Sequence, residues 1–369
     1  MTDRDYMLRA IELAKGGLGW TSPNPLVGAV IVKDGRIIGE GYHERCGKLH
    51  AERNAIASLT ESAEGATLYV TLEPCCHYGK TPPCTEAILE QKIARVVIGS
   101  RDPNPLVAGK GAAILRAAGV RVEEDFMREE CDALNPVFFH YITKKTPYVV
   151  MKYAMTADGK IAARTGDSKW ITGESARKKV QELRHQYMGI MAGIGTVLAD
   201  DPMLNVRIPG LKSPVRIICD SGLRIPMDSK IVQTAKEYRT IVAYAGEHSG
   251  EGCKEAEEKE EQLHAAGVET VSVPDAAGRV DLRKLMEYLG KQSIDSVLLE
   301  GGGTLNDAAL SAGIVNEICA FIAPKIFGGD GAKTPVSGIG VAHPAEAVML
   351  TLRQMETIGD DLMLRYSVD

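Results

Sequence analysis

Two neighbouring runs decide how the chain is read: H-A-E at His50, Ala51 and Glu52, then T-L-E-P-C-C-H-Y-G-K-T-P-P-C from Thr71 to Cys84. One imidazole (His50) and two thiols (Cys75 and Cys84) bind Zn²⁺ well and leave its fourth tetrahedral position open to water. Glu52, two residues after the histidine, is poorly suited to closing such a site and well suited to moving protons. A bound dication lowers the pKa of its water toward neutrality, so a hydroxide becomes available for attack. Eight residues lie between Cys75 and Cys84, so a long loop must return the second thiolate to the metal.

This is the layout of the zinc deaminases, in which a non-ligating glutamate is the general acid and base and the second half reads P-C-x-x-C. Here Pro74-Cys75 supplies the first thiolate, and the spacing to Cys84 is longer. The bland alternative is a structural zinc knuckle, normally closed by four Cys or His ligands. Cys76 or His77 would be the fourth. The presence of both halves in the right order favours the catalytic reading, with Cys76 a small buried thiol.

Composition sets the outer limits. At 369 residues the chain is too long for one ordinary core, and two domains are expected. Hydrophobic and charged contents of 44% and 25% are those of a globular protein. A formal charge of -6 offers no basic footprint for nucleic acid. No apolar run approaches the ~20 residues that span a bilayer, so no membrane role is expected. Eight cysteines without a secretory pattern lead to the expectation of reduced thiols in a cytoplasm.

Outward from the motif, Asp3–Lys15 reads as an amphipathic helix ended by Gly16-Gly17. Val27–Lys33 and Arg36–Tyr42 read as strands joined by the hairpin signal Asp34-Gly35. A helix opens at H-A-E and runs through Leu59. Thr67–Leu72 is a buried strand, and a second helix covers Thr85–Gln91. Both halves of the metal motif thus fall at helix N-termini, where the dipole suits thiolates. A strand at Ala94–Gly99, a helix at Gly111–Ala118 and a strand at Val120–Glu124 complete a mixed α/β sheet covered by helices. A helix-like stretch, Met127–Asn135, follows. The polar run Lys144-Lys145-Thr146-Pro147 marks the cut, giving domains 1–146 and 147–369.

With those residues in view, the chain resembles the bifunctional riboflavin-biosynthesis deaminase–reductases. The likeness is carried by S-P-N-P-L-V-G-A-V (Ser22–Val30), H-A-E, T-L-E-P-C-C-H-Y-G-K-T-P-P-C and R-D-P-N-P-L-V-A-G-K-G (Arg101–Gly111), and it continues through the second half. The resemblance implies a cytidine-deaminase-like first domain that hydrolyses the 2-amino group of 2,5-diamino-6-(5-phosphoribosylamino)pyrimidin-4-one. It also implies that Asn24, His43, Lys80, Asp102 and Asn104 contact this substrate. Taken alone, Asp102-Pro103-Asn104-Pro105 would read as a turn and Lys80 as a solvated charge. Arg53 stands where relatives commonly carry an apolar residue; on the first helical turn, it is placed to tune substrate contacts.

The second half opens with Y-V-V-M-K-Y-A-M-T-A-D-G-K-I-A from Tyr148, similar to the family's reductase and, more distantly, to dihydrofolate reductase. A helix over Glu174–Tyr187 and strands at Val215–Cys219, Thr240–Ala245, Val268–Val273 and Ser296–Leu299 give another α/β domain. Glu251–Gln262 is a charge-rich, solvated helix. The last of these strands runs into Glu300-Gly301-Gly302-Gly303 and a helix start, which is what a phosphate needs. The pattern is not G-x-G-x-x-G, so a Rossmann site is disfavoured.

By resemblance, NADPH is the hydride donor. Its binding set is Ala154, Trp170, Thr196, Asp200, Ser221, Gly302, Gly303, Thr304, Leu305, Asn306, Asp307 and Ala308. The substrate, 5-amino-6-(5-phosphoribosylamino)uracil, falls to Ser168, Arg184, Leu204, Arg207 and Glu300. Arg184 and Arg207 suit a bidentate grip on its phosphate. Lys152, Asp200 and Glu300 are the candidate proton handlers for reduction to the ribityl chain.

Two other readings are open. One is a zinc deaminase of another base with a non-catalytic C-terminal module for binding or oligomerisation. The other is a zinc-stabilised scaffold. As a multidomain enzyme the chain is expected to form a symmetric homo-oligomer.

Overall fold

Alternation of residue parity along the strands builds the first unit. In β1 (Gly28–Lys33) Ala29 and Ile31 join one apolar cluster while Val30 and Val32 join another, so the strand is buried on both faces. The computed structural model describes residues 1–78, 82–104, 107–246 and 253–369. It divides into two compact units, Met1–Lys145 and Thr146–Asp369.

In the first unit α1 (Asp3–Ala14) starts with a capping box between Thr2 and Asp5, and packs Tyr6, Met7, Ala10 and Ile11 on the Val30 face. β1 turns into β2 (Arg36–Tyr42) through Asp34 and Gly35, both at positive φ (49° and 73°), as a two-residue hairpin requires. There follow α2 (Ala51–Ala57), β3 (Thr67–Leu72), α3 (Cys84–Glu90), β4 (Arg95–Ser100), α4 (Lys110–Ala117) and β5 (Arg121–Glu123). The sheet order is β2-β1-β3-β4-β5, antiparallel at the hairpin end and parallel from β3 to β5. α2, α3 and α4 cover the Ala29 face with Ala51, Ala55, Ile88, Ala112 and Leu115.

The expected helix over Met127–Asn135 is shorter in the structure. α5 is only Arg128–Asp132, and a second helix, α6 (Pro136–Lys144), follows where the sequence reading assigned no element. Pro136 keeps its predecessor out of the helical region, and Asn135 uses its side chain to clamp both backbone groups of Leu26 (2.7 and 2.9 Å).

The second unit contains, in chain order, β6 (Tyr148–Thr156), α7 (Glu174–Gln186), β7 (Gly189–Gly193), α8 (Ile194–Asp200), β8 (Val215–Cys219), α9 (Lys230–Gln233), β9 (Thr240–Tyr244), α10 (Cys253–Ala265), β10 (Val268–Ser272), α11 (Leu282–Lys291), β11 (Ser296–Leu299), α12 (Gly303–Ser311), β12 (Val315–Ala323), β13 (Leu350–Ile358) and β14 (Asp361–Val368). Among the described residues these strands form one sheet, β10-β9-β8-β7-β11-β6-β12-β14-β13. It is parallel from β10 to β12 and closes with two antiparallel strands at the β12 edge. Those last strands were not anticipated. β9 and β11 are buried at every position, as central parallel strands must be. No helix among the described residues is long and apolar enough to cross a membrane.

Candidate active sites

The first site lies at the carboxyl end of β3. His50 is the N-cap of α2, Cys84 is the first residue of α3, and Cys75 leaves the strand through Glu73-Pro74. Both Sγ atoms lie 3.5 Å from His50 Nδ1, and the three donors fall within 4.8 Å of one another. With zinc–sulfur and zinc–nitrogen bonds of about 2.3 and 2.1 Å, a tetrahedral S···N edge is about 3.6 Å. The donor set therefore fits Zn²⁺ without rearrangement. Neither Cys76 nor His77 joins this group among the described residues, so the closed knuckle finds no fourth ligand here.

Glu52 is 3% exposed, and its carboxyl hydrogen-bonds with the Cys84 thiol, so it faces the donors. Burial, then the nearby Cys75 charge, raises its pKa above the ordinary carboxylate value. Asn24 and His43 come together beside the site. His43 Nδ1 lies 2.9 Å from the Leu49 carbonyl and therefore donates, which leaves Nε2 to accept from Asn24 Nδ2 at 3.2 Å. The ring stands edge-on to His50 with centroids 5.3 Å apart, and burial lowers its pKa.

Asp102 is buried and accepts from the Asn104 backbone N–H at 2.8 Å; burial pushes its pKa up to about 6. Lys80 lies outside the described residues. Arg53 does not follow its expectation. Its guanidinium donates to the Pro82 and Pro83 carbonyls (3.2 and 2.9 Å), so it holds the chain that delivers Cys84.

The second site is a cavity of about 1480 Å³ at the carboxyl ends of the parallel strands, where open α/β sheets bind their ligands. Lys152, Ala154, Ser168, Trp170, Arg184, Thr196, Asp200, Leu204, Arg207, Ser221, Glu300, Gly302, Gly303, Thr304, Leu305, Asp307 and Ala308 all line it. α12 begins at Gly303 with no side-chain cap, which leaves first-turn N–H groups for an anion. Cations along the wall outnumber carboxylates, which favours anionic ligands. Trp170 is 58% exposed and stacks under Arg177 (4.5 Å), a lip position rather than a core one.

Three expectations change here. Asn306 is fully buried and turns away from the cavity, donating to the Pro335 carbonyl at 2.8 Å. Its side chain holds Pro335 and is not part of the cavity lining. Arg184 spends its fork on Glu300 (2.7 and 3.0 Å) and a third donor on the Asn205 carbonyl, so it is not free to grip a phosphate. Glu300 also lies 3.6 Å from Lys152 Nζ. Burial alone would raise its pKa, but Arg184 and Lys152 together hold it at about 2. A carboxylate that stays ionised gives no proton to a substrate.

Residues 1–100 match the cytidine and deoxycytidylate deaminase zinc-binding region, and residues 147–364 match the RibD C-terminal domain. Over 368 residues the chain is 58% identical to the riboflavin biosynthesis protein RibD of Actinobacillus pleuropneumoniae, covering 100% of this chain and 96% of that one. The chain belongs to the RibD family. Its fold is close to that of Acinetobacter baumannii RibD (TM-score 0.87, 38% identity, 100% of this chain and 99% of that one). It is equally close to a diaminohydroxyphosphoribosylaminopyrimidine deaminase/5-amino-6-(5-phosphoribosylamino)uracil reductase from Thermotoga maritima (TM-score 0.86, 39% identity, 99% and 98%). Like other members, the chain is a bifunctional enzyme of riboflavin biosynthesis: a zinc-dependent deaminase joined to an NADPH-dependent reductase, both acting on small molecules.

Proposed function

We propose that residues 1–146 carry the deaminase and residues 147–369 the reductase, acting in that order on one phosphoribosyl pyrimidine. The observation that carries the first half is the three-donor cluster with the buried Glu52 carboxyl turned toward it. Zinc held by His50, Cys75 and Cys84 supplies the acidity that makes water a nucleophile near neutral pH. Glu52 takes the water's first proton and gives it to the ring nitrogen, then takes the second from the newly added hydroxyl and gives it to the departing ammonia. Asn24 and His43 read the ring edge, while Lys80, Asp102 and Asn104 hold the ribose and phosphate.

In the second half NADPH supplies the hydride that converts the ring-opened ribose to ribityl. Its diphosphate takes the Gly302–Ala308 turn, without Asn306, and Trp170, Thr196, Asp200, Ser221 and Ala154 complete its site. Ser168, Leu204 and Arg207 meet the substrate, with Arg207 as the phosphate grip. Of the three proton handlers Lys152 is favoured: it faces the cavity beside a glutamate that cannot donate, whereas Asp200 ends α8 at an exposed position. Arg184 and Glu300 then fix where Lys152 points.

A homo-oligomer belongs to this reading. The edge strand β13 leaves Leu350, Leu352 and Met355 exposed beside Val348 and Met349, an apolar strip that a second copy would cover. Light scattering would read the stoichiometry, and a monomer at micromolar concentration would remove this part. A cytoplasmic setting without nucleic-acid partners is expected from the eight cysteines and the charge of -6.

The test of the whole is incubation of the protein with 2,5-diamino-6-(5-phosphoribosylamino)pyrimidin-4-one, with and without NADPH. Mass spectrometry should show exchange of the amino group for oxygen in both samples and gain of two hydrogens only with NADPH. No ammonia released by the zinc-loaded protein would defeat the proposal.

A further inference from the structure

Glu73 stands between β3 and the first metal-binding thiol, and the sequence assigns it no task. It is 4% exposed, and both of its carboxylate oxygens serve the backbone of another segment. Oε2 accepts from Gly109 N–H at 2.9 Å and Oε1 from Ala112 N–H at 3.2 Å. These groups open α4, whose own N-cap is a glycine with no side chain to offer. Gly111 lies against the metal loop so closely that a Cβ there would come within 2.2 Å of the Pro74 carbonyl oxygen. On the other side the Glu73 N–H donates to the Ser100 carbonyl at 3.0 Å, at the end of β4. Asp102 and Asn104 lie between these two anchor points, close enough that the Asp102 carboxyl feels the Glu73 charge.

A carboxylate is the group this arrangement needs. It is acceptor-only, so it can serve two N–H donors at once, and its charge suits a helix N-terminus. Glutamine would offer one oxygen and set an amide N–H against a backbone N–H.

From this geometry we propose that Glu73 is a positioning residue of the deaminase, locking the segment that bears Asp102 and Asn104 to the loop that bears Cys75. The inference rests on the reading that Asp102 contacts the substrate. Glu73 touches neither metal nor substrate in this scheme; it acts through Asp102.

The test compares wild type, E73Q, D102N and the double variant, with zinc content, the KM and kcat of deamination, and NADPH-dependent reduction by the same chains. E73Q should keep its zinc and its reductase turnover. Its deamination KM should rise about tenfold, as expected for a lost charged hydrogen bond, with kcat within about threefold. On the D102N background E73Q should add less than about twofold, because both changes remove one interaction. An unchanged KM, a loss of zinc, or effects that multiply in the double variant would each overturn the inference. If E73Q fails to fold, which rapid proteolysis within residues 1–145 would show even with reductase turnover intact, E73D is read by the same criteria; it keeps both oxygens on a shorter arm and should give a smaller KM rise. Failure of the wild type to release ammonia would instead strike the functional reading itself.

Discussion

Each candidate site holds a glutamate shielded from solvent, Glu52 in the first unit and Glu300 in the second, and their surroundings give them opposite characters. Glu52 is buried among thiols with no ion-pair partner among the described residues, and its pKa is raised. Glu300, its side chain 12% exposed, lies between Arg184 and Lys152 and sits at about 2. The difference matches the proposed roles, a group that exchanges protons and one that organises charge. Residue type says nothing about this; the partners decide it.

The sharpest way to break the comparison is Glu52→Gln. It removes the proton carrier while keeping size, so deamination should fall by about 10² to 10⁴. Zinc should stay at one per chain, and NADPH-dependent reduction should be unchanged. Metal analysis beside the two assays checks this. A variant that still deaminates, or one that loses its zinc, would remove the distinction between the two carboxylates.

Arg184→Met approaches it from the other side. Removing Arg184 leaves the Glu300 carboxylate with Lys152 alone, at 3.6 Å, a loss toward the lower end of the about 3–5 kcal/mol that breaking a buried pair costs. Reduction should therefore be lost at a lower urea concentration than in the wild type, while deamination is lost where it was before. Equal sensitivity of the two activities would mean that the Arg184–Glu300 pair adds nothing to the stability of its unit.

The two sites also differ in how far they could be read in the sequence. The metal donors lie between His50 and Cys84, and short helix starts bring them together, so spacing and residue chemistry were enough. The cavity draws on side chains from Lys152 to Ser337, at the ends of strands whose order the chain does not display. Asn306 shows the consequence. It sits inside the glycine-turn motif, yet helical rotation aims it at Pro335, which no motif encodes. Arg184 and Glu300 are far apart in sequence and meet only because α7 packs where β11 ends. The closing hairpin of β13 and β14 escaped for a different reason: β13 exposes apolar and polar residues alike, so it lacks the alternation that marks a strand with one buried face. Helix boundaries, by contrast, were legible to within a residue or two wherever a cap or glycine marked them.

Acid titration sharpens the account of Glu300. Its folded pKa of about 2 lies below its ordinary 4.5, so the folded state binds fewer protons than the unfolded chain between those values. Stability therefore rises with pH across that window. The contribution, about 3 kcal/mol, is complete above about pH 4.5 and is lost as pH falls toward 2. Denaturant midpoints of NADPH-dependent reduction, measured after equilibration at each pH and return to neutral, should show this slope. Glu300→Gln should flatten it; a slope that survives the substitution would belong to other carboxylates.

Arg53 carries the smallest expected effect and separates two roles for one side chain. In the structure it ties Pro82 and Pro83, the residues just before Cys84, to the first turn of α2. Arg53→Leu deletes two charge-assisted hydrogen bonds at a partly exposed site, a loss of about 1–2 kcal/mol. The metal loop would be less well ordered before zinc arrives, so zinc affinity should fall about tenfold in competition with a chelator. At saturating zinc, KM and kcat should match the wild type, because the guanidinium is occupied by backbone and not by substrate. A KM that rises while zinc affinity holds would return Arg53 to the substrate side of the site.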